Sequence, residues 1–327
     1  MAAFQHQSVL LADTLAVLTP SDREVYCDCT LGGGGHTEAV LEAAPGCRVV
    51  GIDRDLEALE AARGRLARFG DRVTFVHGAF GDLAAHLAEV GQPQVHGILA
   101  DLGVSSWQLD APQRGFSFSR QGPLDMRMDP TRGATALELI ASLDAESLAN
   151  VIFELGEERH SRRIARAILR ALGEGRLATT TDLAAVIAAE IPAAEQRRSK
   201  IHPATRTFQA LRIAVNAELD QLQKLLTDFP DLLVPGGRCA IISFHSLEDR
   251  LVKQRFRDLA FASSLPPQLA AREGERAAAV CEPITRKAVV ASDDEIASNP
   301  RARSARLRAA RRTSSPNLPS HASAFLR

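Results

Sequence analysis

Apolar positions follow two periods along this chain, and the change of period divides it. Short apolar runs at Tyr26–Thr30, Arg48–Ile52, Val73–Val76, His96–Ala100 and Arg238–Phe244 have the length and bounding turns of strands. Helical patterns separate the early runs, so the alternation predicts an α/β fold. The last run follows Leu233-Val234-Pro235-Gly236-Gly237, which reads as a helix end and a turn feeding a central strand. Between His96–Ala100 and that strand lie more than a hundred residues with almost no strand signal. They read as an insert.

Within the insert, Ala136–Gly156, Ser161–Leu172 and Thr181–Ile191 each repeat apolar residues at helical spacing, the last opened by Thr-Asp and closed by Pro192. A helical lobe is expected. Arg159, Arg163, Arg166 and Arg170, spaced 4, 3 and 4 apart, place four guanidiniums on one face, while Ile164, Ile168 and Leu172 occupy another. That face is either an RNA-facing stripe or a solvated surface. Phe208, Leu211, Val215, Leu219, Leu222 and Leu226 predict one long amphipathic helix returning the chain to the α/β core.

The chemistry is concentrated in one turn. Strand-like Val25 to Cys29 leads into Gly32-Gly33-Gly34-Gly35-His36-Thr37, and the helical composition of Thr37 to Ala44 follows. Glycines without a Cβ let a ligand approach the backbone, and the N–H groups opening the helix can face a carboxylate or phosphate. A second strand ends in Asp53, where a carboxylate can accept from both hydroxyls of a ribose. A tight structural turn is the plain alternative.

The ligand can be narrowed. Neither glycine frame completes G-x-G-x-x-G, because the frame from Gly32 ends in Thr37 and that from Gly33 in Glu38. No Lys precedes Lys200, so a P-loop lysine is missing. S-adenosylmethionine needs close backbone approach and a ribose-binding acid but no phosphate cradle.

Composition sets the remaining limits. The 327 residues are 45% hydrophobic and 24% charged, enough for one large domain or two smaller ones. The first residues lack a basic start, and no apolar run reaches the roughly 18 residues of a membrane helix. Five cysteines without a C-x-x-C pair suggest neither zinc nor a full disulfide set, so a reducing cytoplasm is expected. The net charge of −1 conceals an asymmetry. From Ile296 onward there are seven arginines and no acid, which leaves −8 on the preceding residues. That end reads as a cationic arm for phosphate backbones or as a solvated terminus.

Several longer motifs coincide: His6-Gln7-Ser8-Val9-Leu10-Leu11, the glycine turn, Gly51-Ile52-Asp53-Arg54-Asp55, Asp101-Leu102-Gly103-Val104-Ser105-Ser106, and Arg114-Gly115-Phe116-Ser117-Phe118. Gly122 to Met128, Gly156-Glu157-Glu158-Arg159, His202 to Arg212, Phe244 to Arg250 and Asn299 to Ser304 continue the series. Together they resemble the bacterial 16S ribosomal RNA cytosine-N4 methyltransferases over nearly the whole chain. The resemblance implies a Rossmann-like class I methyltransferase sheet with a helical inserted domain. It implies S-adenosyl-L-methionine as donor and a decoding-centre cytidine of 16S rRNA, within the small ribosomal subunit, as acceptor. The expected organisation is a core over 1–108 and 207–295, a helical insert over 109–206 and an Arg-rich tail over 296–327.

Matched by motif, the donor-binding residues are Gly34, Gly35, His36, Asp53, Phe80, Asp101 and Gln108. Asp53 suits a ribose on its own chemistry, and Phe80 is either an adenine-stacking ring or a core aromatic. Sequence alone says nothing of Gln108. Three positions depart from the family pattern: Trp107 stands where Pro is usual, Cys29 adjoins the glycine turn, and Ser8 precedes Val9. Trp107 either reshapes the loop carrying Gln108 or serves as a stacking platform for a base.

Cytosine's exocyclic amine is a poor nucleophile, so the site must position it and accept its N–H bonds, with no metal required. The usual Pro-Pro-aromatic signature of amino-methyltransferases is absent after the fourth strand, where Asp101-Leu102-Gly103-Val104 stands. Asp101 is therefore expected to organise the reacting centre with Ser105 and Ser106 nearby. His245 either orients the base and takes the released proton or is a structural turn histidine. The expected RNA contacts are Arg159, Arg163, Arg166, Arg206, Arg301 and Arg303, with no membrane partner; a homodimer is allowed. Three rival functions differ in class: a non-enzymatic RNA-binding assembly factor, a nicotinamide oxidoreductase lacking its third glycine, and a serine hydrolase built on Ser246, His245 and Asp249 without a G-x-S-x-G elbow.

Overall fold

The structure is a computed structural model that describes residues 8–199, 201–260 and 279–314. It divides into two compact units, Met1–Gly103 with Asp220–Arg327, and Val104–Leu219.

The first unit is built on seven strands: β1 (Val25–Asp28), β2 (Arg48–Asp53), β3 (Val73–His77), β4 (Val95–Asp101), β5 (Leu233–Ser243), β6 (Cys281–Pro283) and β7 (Arg306–Arg312). Their order is β3-β2-β1-β4-β5-β7-β6. Pairing is parallel from β3 through β5, and β7 runs antiparallel to both β5 and β6. This is the Rossmann-like class I methyltransferase sheet. Strand alternation explains why both faces are covered. Cys27, Val50, Ile52, Ile98 and Ile241 pack with Leu83, Leu87, Phe229 and Phe256 in one cluster. Tyr26, Val49, Leu99 and Ile242 pack with Leu18, Val40, Leu41, Leu59 and Leu66 in the other. All five cysteines are free and buried.

Two expectations need correction here. The stretch drawn as an arm from Ile296 is, as far as Ser314, a helix end, a turn and a strand of the sheet: β7 buries Leu307, Ala309 and Ala310. Two of its arginines find acids. Arg308 donates through Nε and Nη2 to Asp249 at 2.7 and 3.2 Å, and Arg311 donates to Glu282 at 2.7 Å. Arg301 and Arg303 lie in the turn Pro300–Ser304 just before it, and Arg327 falls outside the described residues. The long helix expected from Phe208 to Leu226 is two helices, Thr205–Asn216 and Glu218–Leu232, broken at Ala217, whose φ of 48° is left-handed.

The second unit is helical. Its core gathers Leu124, Met126, Ile140, Leu148, Ile152, Ile164, Ile168, Leu183, Ile187, Phe208 and Leu211. The segment expected as one helix over Ala136–Gly156 is two, Ala136–Ser142 and Ala145–Gly156, because Asp144 caps the second by accepting the Ser147 N–H at 2.7 Å. In the helix Ser161–Gly173, Ile164, Ala165, Ile168 and Ala171 are buried and the arginines face outward. Arg159 is not on it. It lies in the preceding turn, so the four-arginine stripe starts one member short. The insert runs from Val104 to Leu219, wider than the expected 109–206 at both ends.

Candidate active site

Parallel β1, β2 and β4 each end in an acid, Asp28, Asp53 and Asp101, so one edge of the sheet carries three carboxylates where α/β proteins bind ligands. The glycine turn lies between the first two strands. Gly34 caps the helix Gly35–Ala43 with φ of 79°, a conformation costly for any residue with a Cβ, and its cap carries no side-chain hydrogen bond. The first intrahelical donor is Glu38, so the N–H groups of Gly35, His36 and Thr37 precede the helical ladder.

Asp53 closes the turn from the next strand. Its Oδ2 accepts the Gly32 N–H at 2.7 Å and its Oδ1 the Asp55 N–H at 2.9 Å. Each oxygen keeps a second lone pair, the capacity two ribose hydroxyls require. Burial pushes its carboxyl up to about 6, against the lowering effect of those two N–H bonds.

Asp101 stands at the end of β4, where its N–H donates to Thr30 Oγ1 at 2.6 Å. Its Oδ1 is buried without a hydrogen-bond partner. Burial raises its carboxyl well above the usual range, and the charges of Asp28 and Glu248 add to the rise. A buried acid with an open lone pair among like charges fits a cation, such as the ammonium of an amino acid. His36 Nδ1 sits 3.8 Å from Asp101 Oδ2, while His36 Nε2 donates to the Val9 carbonyl at 3.0 Å. Phe80 is half-buried against the core cluster that holds Cys27, Val50 and Ile52.

Two residues that reasoning from the sequence passed over belong to this edge. Asp28 is buried, accepts the Thr37 hydroxyl at 2.8 Å and the Thr30 N–H at 3.2 Å, and is pushed up to about 6 by burial. Its signal was an acid at an alternating strand position just ahead of the glycines. Glu248 is the other. Its Oε2 accepts the Phe244 N–H at 2.8 Å and its Oε1 lies 3.2 Å from His245 Nε2. The Glu248 N–H reaches back to His245 Nδ1 at 3.5 Å, so this pair caps the helix Ser246–Ala260 reciprocally. The three-residue spacing was the readable sign. Asp249, by contrast, is engaged by Arg308, which removes it from any hydrolytic triad with Ser246.

The remaining expected residues lie on the second unit. Ser105 caps the helix Ser106–Asp110, its hydroxyl accepting the Gln108 N–H at 3.2 Å, while Gln108 Oε1 accepts the Ser105 N–H at 3.0 Å. Gln108 is buried, and the neighbouring Trp107 is 40% exposed. Arg163 donates to Glu190 at 2.7 Å, Arg166 donates to the Arg162 carbonyl at 3.1 Å, and Arg206 is 3.9 Å from Glu158. Arg159 is exposed. Among the described residues no helix is long and apolar enough to cross a membrane.

Comparison with known proteins shows the family. Residues 3–313 match the MraW methylase family. The chain is 58% identical over 309 residues to a protein of Sorangium cellulosum named ribosomal RNA small subunit methyltransferase H, covering 94% of this chain and 91% of that one. Proteins of the same name from Syntrophotalea carbinolica and Anaeromyxobacter are each 52% identical, again over 94% of this chain and 98% of theirs.

Proposed function

The chain belongs to the MraW methylase family, and on that premise we propose that it methylates ribosomal RNA of the small subunit, transferring the methyl of S-adenosyl-L-methionine to the N4 amine of a decoding-centre cytidine in 16S rRNA. The observation that carries the reading is the edge formed by Asp53, Asp101 and the glycine turn. It offers ribose acceptors, an unsatisfied buried carboxylate oxygen and backbone donors within one short stretch of fold.

The donor supplies a methyl group already activated on a sulfonium sulfur, so the protein's task is placement. Orientation alone can lower such a barrier by roughly 7 kcal/mol. In this reading Gly34, Gly35 and His36 present backbone to the amino-acid end, Asp53 takes the ribose, Phe80 and Gln108 flank the adenosine, and Asp101 holds the ammonium. Arrival of that cation favours ionised Asp101 and offsets the repulsion from Asp28 and Glu248. His245, fixed by Glu248, and Ser105 are the candidates for orienting the cytosine and accepting its proton. A stacked base must first be exposed, which assigns Arg159, Arg166 and Arg206, with Arg301 and Arg303, to gripping the surrounding phosphates, while Arg163 is already paired with Glu190.

Mass-spectrometric mapping of cytidines in small-subunit RNA, from cells with and without the protein, tests the reading. One N4-methylated cytidine should vanish with the protein and return with the wild-type gene. Asp101→Asn and His245→Ala variants that stay folded and keep wild-type turnover would remove those two residues from the chemistry.

A further inference from the structure

The segment Ser8–Leu10 crosses the start of the helix Gly35–Ala43. A Cβ built on Gly35 would lie 2.2 Å from Ser8 Oγ and 3.5 Å from Arg65 Nη1, so a hydroxyl and a guanidinium converge on the backbone of the glycine turn. Three features hold the segment. The Val9 carbonyl accepts from His36 Nε2 at 3.0 Å, Leu10 turns the chain with a left-handed φ of 50°, and the Leu10 N–H donates to Glu295 Oε1 at 2.7 Å. The same imidazole faces Asp101 with its other nitrogen. The segment is therefore tied to the edge of the sheet where β4 ends, not to the opposite edge. Ser8 itself is only half-buried.

We propose that Ser8 is a specificity contact for the amino-acid end of the methyl donor. Its hydroxyl donates to the donor's carboxylate at the glycine turn, beside the backbone N–H groups that open the helix, with Arg65 adding positive charge. Arg65 Nε is held by Glu38 at 2.7 Å, which leaves Nη1 as the nitrogen aimed at the turn. This inference rests on the reading of the edge as a donor site. A side chain at position 35 would displace the Ser8 hydroxyl.

Two ligands separate a carboxylate contact from packing. S-adenosylhomocysteine carries the amino-acid end, and methylthioadenosine lacks it. By isothermal titration, Ser8→Ala should bind S-adenosylhomocysteine about tenfold more weakly, the effect of one hydrogen bond to a charged group, and bind methylthioadenosine as the wild type does. Retained methylthioadenosine binding also reports that the variant is folded. Equal weakening for both ligands, or none for either, would overturn the role of Ser8. Wild-type protein that binds neither ligand would overturn the donor-site reading itself, a separate result.

Discussion

Asp53 Oδ2 accepts the Gly32 N–H at 2.7 Å, so the carboxylate proposed for a ribose also braces the glycine turn proposed for the amino-acid end. In that proposal one side chain couples the two halves of the donor site. Asp53→Ala should weaken S-adenosylhomocysteine binding by about 10- to 100-fold, as expected for losing charge-assisted hydrogen bonds worth roughly 1.5–3 kcal/mol. Isothermal titration measures it. Asp53→Asn, which keeps one acceptor oxygen, should fall between the two, and an unaltered affinity in both would take Asp53 out of the site.

The protonation of that carboxylate sets a pH dependence. Folding raises Asp53 from 3.8 to about 6, so between those values the native ligand-free protein holds a proton that the unfolded chain has released. Its contribution to stability is present below about pH 4 and is lost as pH rises through about 6. The ligand-free wild type should accordingly lose stability relative to Asp53→Asn over that window, a difference measured by paired thermal melts. Donor affinity runs the other way. It should strengthen from pH 5 to 7, because ribose hydroxyls and the donor's ammonium favour ionised Asp53 and Asp101, and the slope should flatten in Asp53→Asn.

How much of this was legible in the sequence depended on what each residue had to satisfy. β1 to β5 and the turn at Gly32–Gly35 announce themselves because apolar runs and glycines have few other uses. β7 did not, since Arg306-Leu307-Arg308-Ala309-Ala310-Arg311-Arg312 reads as a solvated basic arm until Asp249 and Glu282 are seen to receive two of its guanidiniums. The partners lie 59 and 29 residues away in sequence, and no local pattern encodes them. Asp28 was missed for a similar reason. Its importance comes from sharing an edge with Asp53 and Asp101, which only strand order creates. The break at Ala217 was hidden because Phe208 to Leu226 keeps a helical period across it, and the left-handed residue is an alanine, not the glycine that would have marked it.

That break is stabilised by Asn216. Its Oδ1 accepts the Met128 N–H at 2.8 Å, and its Nδ2 donates to the carbonyls of Met126 at 2.8 Å and Arg212 at 2.9 Å. Met126 is fully buried with a left-handed φ of 60°, a backbone state that needs such holding. Asn216→Ala strands buried backbone groups at a cost of about 3 kcal/mol. Thermal unfolding should move down by on the order of 10 °C. A variant melting with the wild type would show that the Gly122–Met128 segment is held by other contacts.

Trp107 should matter for RNA and not for the donor. Its ring is 40% exposed, while the cap between Ser105 and Gln108 fixes the helix that bears it. Arg120 donates to the Asp110 carbonyl at the far end of the same helix. Stacking of an unpaired base is worth about 1–3 kcal/mol. Trp107→Ala should therefore lower kcat/KM for the RNA substrate roughly tenfold and leave S-adenosylhomocysteine affinity unchanged, whereas Trp107→Phe keeps most of the activity. Loss of donor affinity in Trp107→Ala would assign the residue to the support of Gln108.

The arginines of the helical unit can be ranked by what already neutralises them. Arg163 donates to Glu190 at 2.7 Å, so its charge is largely spent, while Arg166 donates to a backbone carbonyl and Arg159 is exposed in the turn before the helix. A phosphate contact contributes about one released counterion to the slope of log affinity against log salt. Arg166→Ala and Arg159→Ala should each reduce that slope by about 1 for small-subunit RNA, and Arg163→Ala should leave it nearly unchanged. Point substitution is the right instrument, because truncation at Ile296 would remove β7 and unpair β5 and β6. Slopes equal to the wild type in all three variants would make the face a solvated surface and shift the search for the RNA-gripping residues to Arg206, Arg301 and Arg303.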